Sequence, residues 1–270
     1  MSAQFPKEVQ GFHGRTAFKK RFAARINHFS FFLYQGQPGT GKSSLILHLG
    51  QECEKLGFKS GVYIPIYPGE TIISLLTRLE TRFSIKQSQL SDRQGDPFSR
   101  LLDLLEEEHA VLLLDDIHRL RREDLLCLVR AVRQQNRQFK ILAAHRGACD
   151  LSAIDRAKIH LENVGPLTPE TVKEIALNHK IPEHSLHILL EDAVKRGSSG
   201  HALTLNCLLG LYDEDFLEHE FSEFRSSRSL SALRQLLLLK LKELGEEEQQ
   251  DLIGLIEAGL PLVAKDAKSV

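Results

Sequence analysis

Short apolar runs alternate with amphipathic stretches through the first 165 residues of the chain. The run Ala-Val-Leu-Leu-Leu at 110–114 is apolar without alternation, which is typical of a strand buried on both faces and predicts a central position in a sheet. Strands that alternate with helices favour a parallel sheet covered by helices on both faces, so the predicted fold class is three-layer α/β. The predicted strands are 29–35, 61–66, 110–115, 140–144 and 158–162.

The stretches between these runs predict helices that face the core. A helix that carries Leu101, Leu102 and Leu105 is expected to begin at Asp96-Pro97, where the aspartate supplies the N-cap and the proline fits the first turn. The preceding helix carries its apolar residues at helical spacing, and we expect all of them in the core: Ile72, Ile73, Leu75, Leu76, Leu79 and Phe83.

After Gly165-Pro166 the strand pattern stops, and the chain divides into three predicted regions. Residues 1–165 form the α/β core. Residues 166–225 form a smaller helical subdomain, with helices predicted near 169–179, 185–195 and 201–211. Residues 226–270 form a helical C-terminal segment, whose final stretch, 246–270, is too short for an independent domain.

Composition narrows the class of protein. Apolar residues make up 42% and charged residues 26%, as in folded domains, which excludes disorder and collagen-like structure. Lys plus Arg is 35 and Asp plus Glu is 36, so the overall charge favours neither nucleic acid nor an anionic membrane. No apolar run approaches the ~20 residues that span a bilayer, and the N-terminus lacks signal-peptide features, so we expect a cytoplasmic protein with no membrane partner. Four widely spaced cysteines suggest neither a zinc site nor a disulfide framework: Cys53, Cys127, Cys149 and Cys207.

The strongest chemical signal follows the first predicted strand. Gly-Gln-Pro-Gly-Thr-Gly-Lys-Ser at 36–43 fits the phosphate-binding pattern G-x-x-x-x-G-K-[ST], or Walker A, in the required place between a strand and a helix. In such a loop backbone N–H groups face a phosphate, while Lys42 reaches the β/γ oxygens and Ser43 ligates magnesium. The alternative is a glycine-rich turn with a surface lysine. The predicted binding residues here are Gly36, Gln37, Pro38, Gly39, Thr40, Gly41, Lys42, Ser43 and Ser44.

Two further strands are predicted to end in charged residues beside this loop. The run 111–116 ends in Asp115, expected to hold the magnesium ion through water, and Asp116, expected to polarise the attacking water. Two solvated acids that cap the next helix are the alternative. The strand predicted at 140–144 leads to Arg146 and should lie between the other two, at the crevice where ligands bind in open α/β sheets. Arg146 is therefore a candidate to contact the γ-phosphate, and otherwise a surface arginine. The predicted catalytic residues are Lys42, Asp116 and Arg146.

Over about residues 9–210 these motifs resemble those of P-loop ATPases of the AAA-plus class and their signalling relatives with numerous domains, the STAND ATPases. The pair Asp115-Asp116 is similar to the STAND form of the Walker B motif, and the strand ending in Arg146 resembles the STAND sensor arginine. Gly14-Arg15 looks like the family motif that lies against the nucleotide near its adenine, with Thr16 where the family usually has Glu. The resemblance implies a P-loop NTPase core with ATP and Mg²⁺ as cofactors.

The stretch 199–205 resembles the family's lid motif Gly-x-Pro-Leu, which packs on the adenine. It implies a binding role for Gly200, while Ala202 stands where the family usually has proline. By the same resemblance, 166–225 is the C-terminal helical lid, and 230–262 corresponds to the beginning of a winged helix.

The resemblance implies an ATP-hydrolysing switch that couples nucleotide state to homo-oligomerisation or to a protein partner, with slow turnover until a neighbouring subunit supplies an arginine. The segment 119–140 holds seven basic residues against two acidic ones. This segment is a solvated helix, a contact with another copy, for instance with its acidic stretch 213–224, or a nucleic-acid site. Two alternative functions therefore stay open: an AAA-plus regulator or loader that assembles on DNA, and a nucleotide-binding interaction module with little turnover.

Overall fold

The computed structural model describes residues 5–6, 12, 14–83, 96–134, 138–149, 159–179, 202 and 205. The chain divides into two compact units, Met1–Cys207 and Leu208–Val270, and the second lies outside the described residues. The described elements are, in chain order, α1 (Thr16–Arg25), β1 (Phe31–Gly36), α2 (Lys42–Lys55), β2 (Ser60–Pro65), α3 (Ile72–Arg82), α4 (Pro97–Glu107), β3 (Ala110–Asp115), a 3-10 helix (Ile117–Arg119), α5 (Arg122–Gln134), β4 (Lys140–Arg146), β5 (Ile159–Asn163) and α6 (Pro169–Asn178).

The strands form one five-stranded sheet in the order β2-β3-β4-β1-β5, and every pair of neighbours is parallel. This confirms the α/β prediction, and each predicted strand lies within two residues of an observed one. As expected, β4 lies between β1 and β3, so the phosphate loop after β1 and the charged ends of β3 and β4 meet at one edge of the sheet. The strand at 110–115 is interior but not central, because β4 occupies the middle.

Helices cover both faces of the sheet, which explains the unbroken apolar run in β3. Its side chains alternate between two clusters: Leu112 and Leu114 pack on the side of α3, α4 and α5, and Val111 and Leu113 pack on the side of α1 and α2. All four are fully buried. Because both faces are covered, a polar residue has no favourable place in this strand until the chain emerges at Asp115.

Helix boundaries follow the capping residues. The side chain of Asp96 accepts hydrogen bonds from the N–H groups of Phe98 and Ser99, at 2.9 and 3.3 Å, and Pro97 is the first residue of α4. Thr168 caps α6 in the same way. In α3 the prediction for Ile73 is wrong, since its side chain is 63% exposed. Successive residues of an α-helix are about 100° apart around the helix axis. Ile73 lies outside the arc around this axis that the other predicted core residues occupy.

Several predictions lie outside the described residues. They include the helix at 185–195, the acidic stretch 213–224, the segment 230–262 and the helix at 201–211, of which only residues 202 and 205 are described. Within the described part of the chain, no helix is long and apolar enough to cross a bilayer.

Candidate functional site

The phosphate-loop sequence lies between the C-terminal end of β1 and the first turn of α2. Gly39 and Gly41 have φ values of 76° and 84°, in the left-handed region that favours glycine, and Gly41 is the N-cap residue of α2. Thr40 is buried, and its hydroxyl donates to the carbonyl of Gln37 at 3.0 Å. The loop therefore has the backbone that its pattern requires, at the end of a helix whose N–H groups attract anions.

Lys42 is buried inside this loop. Its ammonium group donates to the carbonyls of Gly36 and Gln37 at 3.0 and 2.6 Å. Burial lowers the pKa of Lys42 and the charge of Arg146 lowers it further, while Asp115 and Asp116 act in the opposite direction. A buried ammonium group is stable only with partners, and the phosphate oxygens of a nucleotide are suited to that role.

Asp115, at the end of β3, is held by two donors. Its Oδ2 accepts from the hydroxyl of Tyr63 at 2.7 Å, and its Oδ1 accepts from the N–H of Asp116 at 3.0 Å. Burial, followed by the charge of Asp115, raises the pKa of Tyr63, so that its hydroxyl stays protonated and donates at neutral pH. The sequence analysis missed Tyr63. The sequence did carry a signal, because Tyr63 lies in the strand predicted at 61–66. In the parallel register Pro65 of this strand pairs with Asp115, so Tyr63 is two residues from the partner of Asp115.

The two magnesium ligands predicted from the sequence are chemically suitable. The carboxylate of Asp115 and the hydroxyl of Ser43 are hard oxygen ligands, and Mg²⁺ in nucleotide sites is held by one or two carboxylates together with phosphates. Among the described residues no group of three or more His, Cys, Asp or Glu is arranged to hold a metal. The roles of Ser43 and Asp115 as magnesium ligands stay a prediction.

Asp116 is engaged by arginines. Its Oδ2 lies 3.1 Å from Nη2 of Arg119 and 3.6 Å from Nη2 of Arg146, and its Oδ1 lies 3.7 Å from Nδ1 of His118. Its backbone is left-handed, with φ 55°, which is uncommon for a residue other than glycine. Asp116 stands at the N-cap of the 3-10 helix but its side chain makes no capping hydrogen bond, which argues against the interpretation of Asp116 as a cap.

Arg146, the last residue of β4, lies close to the other two predicted catalytic residues, Lys42 and Asp116. It is paired with Asp116, and its charge acts on Lys42. The neighbouring His145 contacts the carbonyl of Gly147 at 3.2 Å and lies edge-on to His118, with ring centroids 5.8 Å apart. Burial lowers the pKa of both imidazoles and so favours the neutral form of each ring.

Arg15 lies against the phosphate loop through its guanidinium group. Nη2 donates to the carbonyl of Thr40 at 2.9 Å and to that of Gly165 at 2.7 Å, and Nη1 donates to the carbonyl of Pro166 at 3.3 Å. The structure thus places Arg15 on backbone carbonyls, and the expected contact near the adenine stays a prediction.

The lid motif is described only in part, because Gly200 lies outside the described residues. A Cβ placed on Gly41 would lie 3.5 Å from the Cβ of Ala202, and Leu205 is fully buried. The start of the predicted lid helix therefore reaches the phosphate loop even with alanine at the usual proline position.

The described basic residues of the segment 119–140 lie in different surroundings. Arg119 is paired with Asp116. Lys140 is 8% exposed and donates to the carbonyl of Phe29 at 2.9 Å, because it opens β4 at the opposite end of the sheet from the site. The exposed arginines described in this segment are Arg121, Arg122 and Arg130, and the side chains of Arg133 and Arg137 are not among those described.

A family model matches part of the sequence. Residues 26–148 match the family model described as an AAA domain, a range that includes the phosphate loop, Asp115, Asp116 and Arg146. No curated protein matches the sequence.

Solved structures with the same fold include a STAND protein and two ORC proteins. A STAND protein with a tetratricopeptide repeat sensor from Pyrococcus horikoshii aligns with a TM-score of 0.55 at 18% identity, over 83% of this chain and 34% of that chain. The ORC2 protein of Aeropyrum pernix, in ADPNP–ADP complexes, aligns with a TM-score of 0.54 at 14% identity, over 86% of this chain and 70% of that one. The ORC1 protein of the same organism, in complex with DNA, has a TM-score of 0.50 at 15% identity, over 93% and 73%. At these identities the likeness concerns the fold, and the chain spans about a third of the STAND protein.

Proposed function

We propose, from the premise that residues 26–148 form a P-loop AAA-plus domain, that this chain is an ATP-binding and ATP-hydrolysing switch of the AAA-plus or STAND type. In this proposal the nucleotide state controls association with a second copy or with a protein partner. The observation that carries it is the convergence of Lys42, Asp115, Asp116 and Arg146 at one edge of the sheet, around a loop with phosphate-binding geometry.

Each group has a role that its surroundings support. Lys42 contacts the β- and γ-phosphates, since its buried ammonium group already lies among the loop carbonyls. Ser43 and Asp115 hold the magnesium ion, which when bound neutralises charge on the phosphates. Tyr63 keeps the Asp115 carboxylate in one orientation. Arg146 contacts the γ-phosphate, to which its position on β4 gives access.

The pairs around Asp116 support slow turnover in the isolated chain. The attacking water gives its proton to an oxygen of this carboxylate that it can reach. Arg119 and Arg146 both face Oδ2, so a water reaches this oxygen more easily when the pair with Arg119 opens. A partner or a second copy that draws Arg119 away would raise the rate, which links association to hydrolysis.

The test is ATP turnover measured against protein concentration, with Lys42→Ala and Asp116→Asn as control variants. Both substitutions are expected to abolish turnover while leaving the fold intact. A rate per subunit that rises steeply with concentration supports completion of the site by a neighbouring copy. A rate equal to that of Lys42→Ala at every concentration contradicts the hydrolytic switch.

The DNA-assembling regulator is the second candidate, favoured by the exposed arginines of α5 and by the likeness to an ORC1 protein solved with DNA. It requires ATP-dependent DNA binding that weakens as salt rises. The triple substitution Arg121→Ala, Arg122→Ala and Arg130→Ala should then weaken binding. The matched control removes the same charge from other exposed positions, Lys20, Lys55 and Arg82. Equal binding by the two triple variants contradicts a DNA site on α5.

The interaction module with little turnover is the third candidate, favoured by the double pairing of Asp116. Single-turnover assays at high protein concentration separate it from the switch. Nucleotide binding that Lys42→Ala abolishes, combined with no product above background, supports the module.

A further inference from the structure

We infer that Arg15 is a positioning residue that joins the phosphate loop to the segment leading into α6, so that a phosphate held by the loop is sensed by that segment. We call residues 164–168, between β5 and α6, the connector. The inference rests on the proposed nucleotide site and adds to it a mechanical link from the phosphates toward the lid.

One guanidinium group bridges the two segments. Nη2 of Arg15 donates to Thr40 in the loop and to Gly165 in the connector, at 2.9 and 2.7 Å, and Nη1 adds the carbonyl of Pro166 at 3.3 Å. Gly165 and Pro166 lie 125 and 126 residues after Thr40 along the chain. Arginine suits this place because its planar fork presents several donors in a rigid arrangement, whereas the single nitrogen of lysine is a point charge.

The carbonyl of Thr40 belongs to the peptide unit that also contains the N–H of Gly41. The described chain has no cis peptide bond, and in a planar trans peptide the N–H points away from the C=O. The Gly41 N–H therefore points away from Arg15. A cation on the carbonyl polarises the peptide unit and strengthens its N–H as a donor. In this way Arg15 makes the loop a better phosphate ligand without touching the phosphate.

The backbone around Arg15 is held closely against α6. Gly14 has φ +71°, and a Cβ there would lie 2.4 Å from Cγ2 of Thr171 in the first turn of that helix. Arg15 itself has φ 58°, a conformation that a residue other than glycine keeps only where its surroundings determine it. Movement of α6 therefore acts on Gly14, the residue next to the one that carries the bridge.

The connector is also attached to the strand that enters the loop. The N–H of Val164 donates to the carbonyl of Gln35 at 2.7 Å, one residue before the loop begins. The connector thus starts at the end of β1 and meets the loop again through Arg15. A change in the loop backbone at Thr40 has a short physical route to α6 through these two contacts.

The experiment measures binding of ADP and of inorganic pyrophosphate by calorimetry, and hydrogen exchange at 164–171 with and without ADP. In Arg15→Ala we expect both ligands to bind about tenfold more weakly, within the range usual for coupled sites. We also expect ADP no longer to slow exchange in the connector. Arg15→Lys, which keeps the charge but not the fork, should retain part of the affinity and lose the protection, and it replaces Arg15→Ala if that variant does not fold.

The matched control is Arg21→Ala, in α1, the helix that Arg15 precedes as its N-cap residue. Arg21 packs over the Phe18 ring as Arg15 does, but its ion pair is with Glu162 in β5. We expect both binding constants and the ADP-dependent protection to match the unsubstituted protein.

Each other result overturns the inference in a recognisable way. Weaker ADP binding with unchanged pyrophosphate binding in Arg15→Ala would mean that Arg15 recognises the nucleoside. Unchanged protection in Arg15→Lys would show that the fork does not transmit the state of the loop. Equal losses in Arg21→Ala would reduce Arg15 to a support of α1. Failure of the unsubstituted protein to bind either ligand would contradict the proposed function itself.

Discussion

Replacing Arg119 by alanine tests whether this arginine restrains Asp116 or takes part in hydrolysis. Nη2 of Arg119 lies 3.1 Å from the Oδ2 of Asp116 that Arg146 also faces. In the proposed function this carboxylate accepts a hydrogen bond from the attacking water. A guanidinium group that occupies it lowers the fraction of molecules that can react, so its removal should raise the rate.

The size of the effect follows from the exposure of the pair. The side chains of Arg119 and Asp116 are 27% and 28% exposed, so solvent screens their attraction. A pair of this kind contributes roughly 0.2–1 kcal/mol, which changes a population by roughly 1.4- to 5-fold. We therefore expect the hydrolysis rate of Arg119→Ala to rise by up to about fivefold, and its free energy of unfolding to fall by less than about 1 kcal/mol.

The assay is single-turnover hydrolysis with the protein in excess over ATP, because this reports the chemical step and not product release. Arg121→Ala is the matched control, since it removes the same charge from an exposed position two residues away. Lys42→Ala sets the background. An equal rise in the Arg121 variant would assign the effect to net charge.

A fall in rate of a hundredfold or more would refute this reasoning. An arginine that stabilises the transition state contributes about 10³–10⁵ in rate, far more than the pair with Asp116 can account for. The sign of the change therefore distinguishes an arginine that restrains the site from one that catalyses.

Three further predictions concern the metal ligand, the core and the response to acid. Tyr63→Phe removes the donor to Oδ2 of Asp115. The Mg²⁺ concentration needed for half-maximal tightening of nucleotide binding should then rise about tenfold, as for other residues that orient metal ligands. An unchanged Mg²⁺ titration would contradict the role of Tyr63. Leu113→Ala should lower the free energy of unfolding by roughly 2–5 kcal/mol in denaturant titrations, because the side chain is fully buried between β3 and α2, while Leu113→Met should lower it by less than about 1.5 kcal/mol. Burial opposes ionisation of Glu162, but hydrogen bonds, first that from His160, outweigh burial and lower the pKa of this carboxyl group. The ionised Glu162 therefore stabilises the fold above the ordinary glutamate pKa, and this contribution is lost as pH falls through the lowered pKa. Glu162→Gln should flatten that part of the acid-unfolding curve, and a curve identical to that of the unsubstituted protein would show that Glu162 does not contribute.

The strand and helix pattern of the core was predictable because it depends on neighbouring residues. Local signals predicted these elements, and each signal is found in the described structure. They are the spacing of apolar residues, helix caps such as Asp96 and Thr168, and the glycines of the phosphate loop. Ile73 was predicted wrongly for the same reason, since spacing alone does not say how wide the buried arc of a helix is.

The sequence by itself determined the α/β class, the position of the phosphate loop and the four charged residues expected beside it, because a parallel sheet brings its strand ends to one edge. It did not determine which charges would pair. The register of β2 and β3 brings Tyr63 to Asp115. Arg119 and Arg146 share one oxygen of Asp116. Lys140 lies at the end of β4 that is remote from the site. Arg15 reaches carbonyls 25 and about 150 residues away. Apart from the pair of Asp116 with Arg119, three residues away, these contacts depend on distances between segments remote in sequence, and only the packing of the whole domain decides them.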